Sequence, residues 1–242
     1  MSIKSEIRIT RCLAKAGLAS RRDAEKLILD GRVTLNGNTV MEPWRNCVNT
    51  DVLKLDGETV GLSKSTVLYQ LHKPRGCLST SRDTMGRRTI FDLMDNKLNH
   101  LMIIGRLDYN SEGLMILTNN GELKRYLELP KNNVERVYKV KIRGHLTDSN
   151  LTNIVEGVSL GGVDYKPIDV KVLETNSTQS WIEMVLTEGK NREIRKILAS
   201  FNLDVVRLIR KRFGPFSLDK LQVGKSKKLK IEDYSSLRDY WV

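Results

Sequence analysis

A short loop holds the residues of this sequence whose types and spacing could do chemistry. Within the segment 105–114, Arg106 and Asp108 stand two positions apart, and apolar runs at 101–104 and 114–117 flank the segment. Apolar runs of this length beside glycine are typical of buried strands, so the segment is predicted to be a tight loop between two strands. One cation and one carboxylate would then be held at a rigid strand end, where catalytic side chains are often found.

Asp108 has a second interpretation. Most aspartates in loops stabilise turns or caps through their own hydrogen bonds and take no part in chemistry. If Asp108 does act chemically, its carboxylate could serve as a nucleophile or as a general base, and the sequence does not choose between these roles. The local pattern alone therefore leaves a polar turn and a catalytic loop open.

The chain is strongly basic. Its 242 residues include 41 Lys and Arg against 29 Asp and Glu, a formal net charge of +12. A protein this basic is a candidate for binding a polyanion, most commonly nucleic acid, although solubility alone is an alternative explanation. Hydrophobic residues make up 40% of the chain, enough for the core of one large domain or of a small and a medium one.

The sequence carries no signal for a membrane, for export or for a metal. No apolar stretch approaches the roughly 18 to 20 residues of a membrane span, and the polar segment 1–9 has no signal-peptide core. The cysteines and histidines have neither a disulfide framework nor metal-ligand spacing. We therefore expect a cytoplasmic protein in a reducing environment, without bound metal. The residues concerned are Cys12, Cys47, Cys77, His72, His100 and His145.

Basic residues concentrate in three segments that are candidates for contacting phosphates. Segment 8–32 has seven bases and three acids, segment 73–88 has five bases and one acid, and segment 187–212 has eight bases and three acids. Segment 73–88 also contains two glycines and is predicted to be a mobile basic loop suited to holding nucleic acid. A solvated surface is the alternative for each segment.

The N-terminal part is predicted to be a compact helical unit followed by a hairpin. Ser20 can cap a helix together with Asp23 three residues later, and Gly31 would end that helix. The Asn-Gly pair within the segment 33–40 is the strongest short-range signal for a hairpin. Segment 61–66 has the composition of a linker.

The rest of the chain is predicted to be rich in strands. Strands are expected at 67–72, 135–143, 166–174, 180–187 and 205–209, and helices from Asn120 to about residue 129, from Thr147 or Asp148 to before Gly157, after 188–191 and near 234–241. Many strands with few interposed helices indicate an α+β fold whose sheet is mixed and largely antiparallel.

The loop that contains Asp108 resembles the catalytic signature of the pseudouridine synthases that act on ribosomal RNA. That signature is Gly-Arg-Leu-Asp, two free positions, Ser or Thr, a free position, Gly, and an apolar run closed by Thr and a small polar residue. Ser111, Gly113, Thr118 and Asn119 fill its later positions. Segments 73–76 and 86–92 match the same family, and the whole resemblance runs from Arg8 to about Gly224.

The resemblance implies an isomerisation within one nucleotide. Uracil is cut from the sugar at nitrogen, turned over and rejoined through carbon five, and the base must first leave its stack. Nothing enters or leaves, so the resemblance implies no cofactor and no metal. Asp108 is implied to engage the sugar, either by attacking the anomeric carbon or by abstracting the neighbouring proton.

The resemblance also implies roles for other side chains. Tyr138 would stack on the target base, Arg195 would pair with Asp108, Arg106 would fill the gap left by the flipped nucleotide, and Leu208 would line the pocket. The alternative interpretations are a core tyrosine for Tyr138, a surface arginine on a helix for Arg195 and a core leucine for Leu208. Further substrate contacts are expected from Lys73, Arg75 and Arg207. Contacts with the RNA backbone are expected from Arg11, Lys15, Arg21, Arg22, Arg32, Arg87, Lys190, Arg192 and Arg210.

Residues 8–56 resemble a small RNA-binding module that is named after a small-subunit ribosomal protein. The resemblance implies that the paired Arg21 and Arg22 and the helix ends face phosphates, which positions RNA without reading its sequence. We therefore expect an RNA-binding domain at 1–60, a linker at 61–66 and a synthase domain at 67–242.

Two segments indicate a branch of the family. Segments 188–195 and 207–210 are similar to members that modify large-subunit ribosomal RNA. A small-subunit synthase and a non-catalytic RNA-binding assembly factor remain alternatives, and the absence of a second paired carboxylate disfavours a base-releasing glycosidase. The expected partner is ribosomal RNA, and the expected form is a monomer.

Overall fold

The computed structural model describes residues 6–61, 65–81 and 83–240, so part of the expected linker, Arg82 of the basic loop and Trp241 of the expected last helix lie outside the described residues. Its strands are β1 (Ile7–Arg8), β2 (Val33–Leu35), β3 (Asn38–Thr39), β4 (Asn46–Cys47), β5 (Leu53–Leu55), β6 (Glu58–Thr59), β7 (Leu68–Lys73), β8 (Met102–Ile104), β9 (Glu112–Thr118), β10 (Arg136–Arg143), β11 (Val158–Leu160), β12 (Val163–Tyr165), β13 (Asp169–Thr175), β14 (Gln179–Leu186), β15 (Asp204–Phe213), β16 (Phe216–Ser217) and β17 (Ser226–Leu229). Its α-helices are α1 (Ile9–Lys15), α2 (Arg21–Leu29), α3 (Gly121–Glu128), α4 (Asp148–Glu156) and α5 (Glu193–Ser200).

The N-terminal part packs α1 and α2 against the small antiparallel sheet β3-β2-β5-β6 around its own core. The predicted helix cap is confirmed, because the Ser20 side chain accepts a hydrogen bond from the Asp23 amide at 3.2 Å. The predicted hairpin is confirmed as well: Asn36 and Gly37 join β2 to β3 with φ angles of 52° and 85°. These local signals were sufficient because short-range backbone chemistry decides both features.

This N-terminal part contacts the rest of the chain directly. The Arg11 guanidinium forms an ion pair with Glu122 at the start of α3, at 2.5 Å. Gly17 lies against the His100 ring so closely that an added Cβ would meet a ring carbon at 3.0 Å. Arg11, which was expected to contact RNA, is therefore bonded to a carboxylate of the second part of the chain.

The second part is built on one mixed sheet in the order β13-β14-β10-β15-β9-β7-β17, to which β8 and β16 add. Among the strand pairs of the described residues, β9 and β15 run parallel and the others antiparallel, so the predicted largely antiparallel α+β fold is confirmed. All seven residues of β9 are buried, whereas β14 alternates between buried and half-buried positions. A central strand covered on both faces gives a continuous apolar run, and a half-covered strand gives alternation.

The helices of this part begin and end close to the predicted positions. Asn120 caps α3 by accepting from two backbone amides, and Thr147 caps α4 through a capping box. The expected last helix is a 3₁₀ segment, Ser235–Tyr240, rather than an α-helix. No helix in the described ranges is long and apolar enough to cross a membrane.

Gly113 permits the central strands to approach each other. It pairs with Arg210 across β9 and β15, and its φ is +114°. A Cβ built at Gly113 would lie 2.4 Å from the Arg210 carbonyl oxygen and 2.5 Å from its amide nitrogen. Because both clashing atoms are backbone, the strands themselves would have to separate to admit any other residue.

We predict that Gly113→Ala destabilises the protein severely. The clash with β15 and the unfavourable φ together should lower the free energy of unfolding by about 3 kcal/mol or more in a denaturant titration. Gly224→Ala is the matched control, because Gly224 also has a positive φ of +77° but no atom within 4 Å of the added Cβ. Its cost should stay near 1 kcal/mol. Equal losses in both variants would mean that the close approach of β9 and β15 is unimportant.

Candidate active site

A cleft of about 500 Å³ opens where the loop 105–111, the start of β10 and the segment 186–195 meet. It brings together most of the chemistry-bearing residues that the sequence singled out. The lining includes Arg106, Asp108, Ser111, Tyr138, Lys190, Arg192, Arg195, Leu208 and Arg210. Lys73, Arg75 and Arg207 were expected to contact substrate and do not line this cleft.

The loop that holds Asp108 is the predicted strand-to-strand turn. It joins β8 to β9, which pair antiparallel with Ile104 opposite Ile116. The Ser79 hydroxyl fixes the loop by donating to the Leu107 carbonyl at 2.7 Å and accepting from the Leu107 amide at 3.1 Å. The backbone on either side of Asp108 is thus held by partners outside the loop.

Lys73 corrects one prediction. It was expected to lie in a mobile basic loop and contact substrate, but it is the last residue of β7 and is 0% exposed. Its ammonium is directed into the loop instead and binds backbone carbonyl oxygens there. The acceptors are Ser111 at 2.7 Å, Asp108 at 3.0 Å, Pro74 at 3.1 Å and Tyr109 at 3.4 Å.

The environment of the Lys73 ammonium is unusual for a cation. Burial lowers the pKa of Lys73 to about 8, and the nearby Asp108 and Glu112 carboxylates act only partly against that effect. No carboxylate within the described residues forms an ion pair with it, so backbone dipoles carry most of the stabilisation. The buried Lys73 ammonium therefore holds the backbone of the loop and is not accessible to a substrate.

Asp108 stands at the edge of the cleft beside Arg192. Its side chain is 35% exposed, and Oδ2 lies 4.0 Å from the Arg192 guanidinium. Arg192 was expected to contact the RNA backbone, and Arg195 was expected to pair with Asp108. Among the described residues, Arg192 and not Arg195 forms the ion pair, because α5 begins at Glu193 and leaves Arg192 at the helix cap.

Arg195 serves a different set of partners within the same cleft. Its guanidinium donates to the Val205 carbonyl at 3.0 Å and to the Asn110 carbonyl at 3.4 Å, while its buried Nε has no partner in the described part of the chain. Burial lowers the pKa of Arg195, the charge of Arg192 lowers it further, and Asp108 acts in the opposite direction. Arg195 is thus near Asp108 without bonding it.

Tyr138 and Arg210 face each other across neighbouring strands. The register of β10 and β15 places them opposite one another beside a β-bulge. Arg210 was expected to contact RNA, but it is 2% exposed, donates from Nε to the Leu114 carbonyl at 2.8 Å, and lies 4.8 Å from the centre of the Phe213 ring. Burial lowers its pKa, and the electrostatic interaction with Tyr138 opposes this shift. Arg210 thus lies buried opposite Tyr138.

The remaining predicted contacts divide between the cleft and the surface. Leu208 lines the cleft and also packs in the core. Arg106 is exposed at the cleft. Arg75 is exposed nearby, and Arg207 is bonded to Glu112, with its guanidinium 2.6 Å from Oε1. Arg207 therefore links β15 to β9.

The predicted phosphate-binding residues differ in how accessible their charges are. Arg21 and Arg22 are exposed at the start of α2. Arg32 is paired with Asp56 at 2.5 Å and Arg87 with Asp83 at 2.8 Å, and these pairs raise the pKa of each arginine. Lys15 is half-buried in the last turn of α1. RNA would have to displace a carboxylate to bind Arg11, Arg32 or Arg87 fully.

Two glutamates of the cleft wall were missed by the sequence reasoning. Glu188 and Glu193 are 6% and 4% exposed and lie on either side of Lys190 in the chain. Acids within a basic segment look like ordinary surface compensation, and only tertiary packing buries them. Within the described residues, no group of three His, Cys, Asp or Glu side chains could hold a metal ion.

Comparison with known proteins identifies the family of the chain. Residues 67–200 match the RNA pseudouridylate synthase family, and residues 7–43 match the S4 domain. An uncharacterised RNA pseudouridine synthase of Rickettsia felis is 40% identical over 92% of this chain and 96% of that protein. The ribosomal large subunit pseudouridine synthase B of Bacillus subtilis is 32% identical over 96% of this chain and 95% of that protein.

A solved structure has the same fold. The crystal structure of a pseudouridylate synthase superposes with a TM-score of 0.67 at 24% identity, covering 98% of this chain and 100% of that chain. The chain therefore belongs to the RNA pseudouridylate synthase family. It is an enzyme, an isomerase that converts uridine in RNA to pseudouridine, and it carries an N-terminal S4 domain that binds RNA.

We predict that Lys73→Met lowers both stability and activity. The variant fills the same space but leaves the loop carbonyls without their donor, which should lower the free energy of unfolding by about 2–4 kcal/mol. Lys97→Met is the control, because Lys97 is exposed on a surface turn. Thermal unfolding and pseudouridine formation would be measured side by side. A variant with normal stability and normal turnover would refute the role of Lys73 as the anchor of the loop.

Proposed function

We propose that this enzyme modifies ribosomal RNA of the large subunit and that Asp108 is its catalytic carboxylate. The observation that carries the proposal is the position of Asp108 on a backbone-anchored loop at the cleft, 4.0 Å from Arg192 and in the same cleft as Tyr138. A reacting carboxylate needs a fixed position, an accessible oxygen and a nearby cation, and this arrangement supplies all three.

The reaction proposed at this site begins with extrusion of the target uridine from its stack. The cleft, at about 500 Å³, is large enough for one nucleotide. The Tyr138 ring would stack on the uracil, a contact that contributes about 1–3 kcal/mol per base. Arg106, exposed at the cleft, would occupy the gap that the flipped nucleotide leaves in the RNA.

Asp108 would then break the bond between uracil and its sugar. It would do so either by attacking the anomeric carbon, with uracil leaving as its anion, or by removing the neighbouring sugar proton. The freed uracil turns within the cleft and its carbon five bonds to the anomeric carbon. This step releases the Asp108 carboxylate on the first route and returns the sugar proton from Asp108 on the second. Carbon five then loses its proton, and the nitrogen that had left the sugar gains one. Arg192 and Arg195 would stabilise the negative charge that develops on the departing uracil.

The large-subunit target rests on resemblance and on the shape of the binding surface. The Bacillus subtilis relative, whose name states a large-subunit synthase, is 32% identical over nearly the whole chain. Arg21 and Arg22 of the S4 domain would hold phosphates at a distance from the cleft and place one uridine without reading sequence. Such a monomeric enzyme would work in the cytoplasm, where its RNA substrate is assembled.

We predict that Asp108→Asn abolishes isomerisation while RNA affinity changes by no more than a few fold. Loss of the reacting carboxylate should reduce turnover by about a thousandfold or more. Removal of a negative charge from a basic surface gives no reason for weaker binding. Chemical mapping of pseudouridine and a filter-binding assay would be run on both proteins. Asp148→Asn, an exposed position on α4, is the control, and substantial residual turnover in the Asp108 variant would exclude its catalytic role.

We also predict that protein-free large-subunit RNA is modified at one or very few uridines in an irregular region. Paired A-form RNA hides its bases, and a uridine is flipped most easily where pairing is already weak. Large-subunit RNA, small-subunit RNA and transfer RNA would each be incubated with enzyme and mapped completely. Modification confined to small-subunit RNA would overturn the proposed target, and scattered modification in all three would overturn the idea of placement by backbone contacts.

A further inference from the structure

The cleft wall contains a pair of buried acids that the proposed chemistry does not use. Glu188 follows β14, and Glu193 is the first residue of α5. Both are more than nine-tenths buried. Oε1 of Glu193 is buried and has no hydrogen-bond partner within the described residues. A buried carboxylate oxygen without a donor is costly, which indicates that something in its surroundings must supply a proton.

The other oxygens of the pair are firmly bonded. Glu188 accepts from the Lys166 amide at 2.9 Å and from the Lys190 ammonium at 2.5 Å. Glu193 Oε2 accepts from the Lys190 amide at 2.9 Å. Glu188 and Glu193 both bind Lys190 and interact with each other, so a protonated Oε1 of Glu193 would have the Glu188 carboxylate as its acceptor.

The charges around the pair favour one proton shared between two carboxyls. The Lys190 ammonium is already bonded to Glu188 and to the Asp164 carbonyl and lies over the Tyr165 ring, while Arg136 on β10 interacts electrostatically with Glu193. Burial, followed by the bond and charge of Glu188, raises the pKa of Glu193 to about 7. For Glu188, burial acts in the same direction, but the bonds from Lys166 and Lys190 hold its pKa below the usual range.

The same bonds hold Arg192 beside Asp108. Arg192 has a φ of +52°, in the left-handed region that side chains other than glycine rarely adopt, so its surroundings must hold it there. The Glu193 carboxylate bonds the Lys190 amide and the Glu193 amide bonds the Lys190 carbonyl at 3.3 Å, which closes a turn around Arg192. Glu188 secures the other end of that turn through Lys190.

We propose that Glu188 and Glu193 are positioning residues: their shared proton keeps the turn 188–193 closed, and the closed turn holds Arg192 at Asp108. When the proton is lost, two buried carboxylates repel each other and the turn opens. The effect on reaction rate rests on the proposed function, but the effect of pH on the turn itself does not.

The direction of the pH dependence follows from the sign of the shift. Glu193 has a higher pKa in the folded protein than in the unfolded chain, so the stabilisation is complete at acid pH and is lost as the pH rises through about 7. The population of the closed turn should therefore fall by up to about tenfold per pH unit as the pH approaches 7, and it should level off above about pH 7, where Glu193 is deprotonated in both states.

Glu193→Gln is the decisive variant, because its amide donates the same hydrogen bond at every pH. At about pH 6 its kcat/KM should lie within about twofold of the wild type, and at about pH 8.5 it should exceed the wild type by up to about tenfold. Glu193→Leu has a similar size but no donor or acceptor, and it should be impaired at both pH values. Glu156→Gln, on the exposed face of α4, is the control for removal of one negative charge.

A second measurement reports on the turn without any assay of activity. Amide hydrogen exchange of 187–193, corrected for the intrinsic effect of pH, should rise between pH 6 and pH 8.5 in the wild type but not in Glu193→Gln. Identical pH profiles of rate and exchange in these two proteins would overturn the proposal. Absence of isomerisation in every protein, with the exchange difference present, would refute the proposed function and leave the acid pair as the lock of the turn.

Discussion

The site depends on one buried ammonium. Lys73 ends β7, and its charge is held by the carbonyls of the loop that carries Asp108 rather than by a carboxylate. Burying a cation in this way is expensive, since dipoles replace only part of its hydration. The pairing of β7 with β9 explains how this is possible. All six residues of β7 pair with β9, which holds the Lys73 ammonium at a fixed position next to the loop. The loop is therefore as rigid as the sheet beneath it.

The parts of the fold that the sequence predicted are those that neighbouring residues decide. The loop between β8 and β9, the caps at Ser20 and Asn120 and the hairpin at Asn36 all depend on contacts within a few residues, and all were located correctly. The predicted family and the mixed sheet were also confirmed. Turns, caps and the family motif can be recognised from the sequence because none of them depends on contacts between strands that are far apart in the chain.

Burial of individual bases could not be predicted in the same way. Lys73 and Arg210 were assigned to RNA-facing surfaces because they lie in basic segments, yet they are 0% and 2% exposed. A charge count along the chain does not report which face of a strand meets the core. Arg210 is buried because Gly113 lets β9 and β15 approach closely, a contact between residues far apart in sequence. Asp108 pairs with Arg192 and not with the predicted Arg195, because α5 begins at Glu193. The ends of helices are the least predictable part of an element.

The distribution of partners among the cations separates chemistry from affinity. Arg195 and Arg210 bond to backbone carbonyls and Arg192 is paired with Asp108, so each of the three has a protein partner before any RNA arrives. Arg21 and Arg22, in contrast, are exposed on a separate small core. Cations that are already fixed add little to non-specific attraction but lose little freedom when a transition state forms between them. Exposed cations far from the cleft contribute to affinity instead, since they attract phosphates at long range and do not need an accurate position. A strongly basic chain can therefore bind RNA through one set of bases and reserve another set for a single uridine.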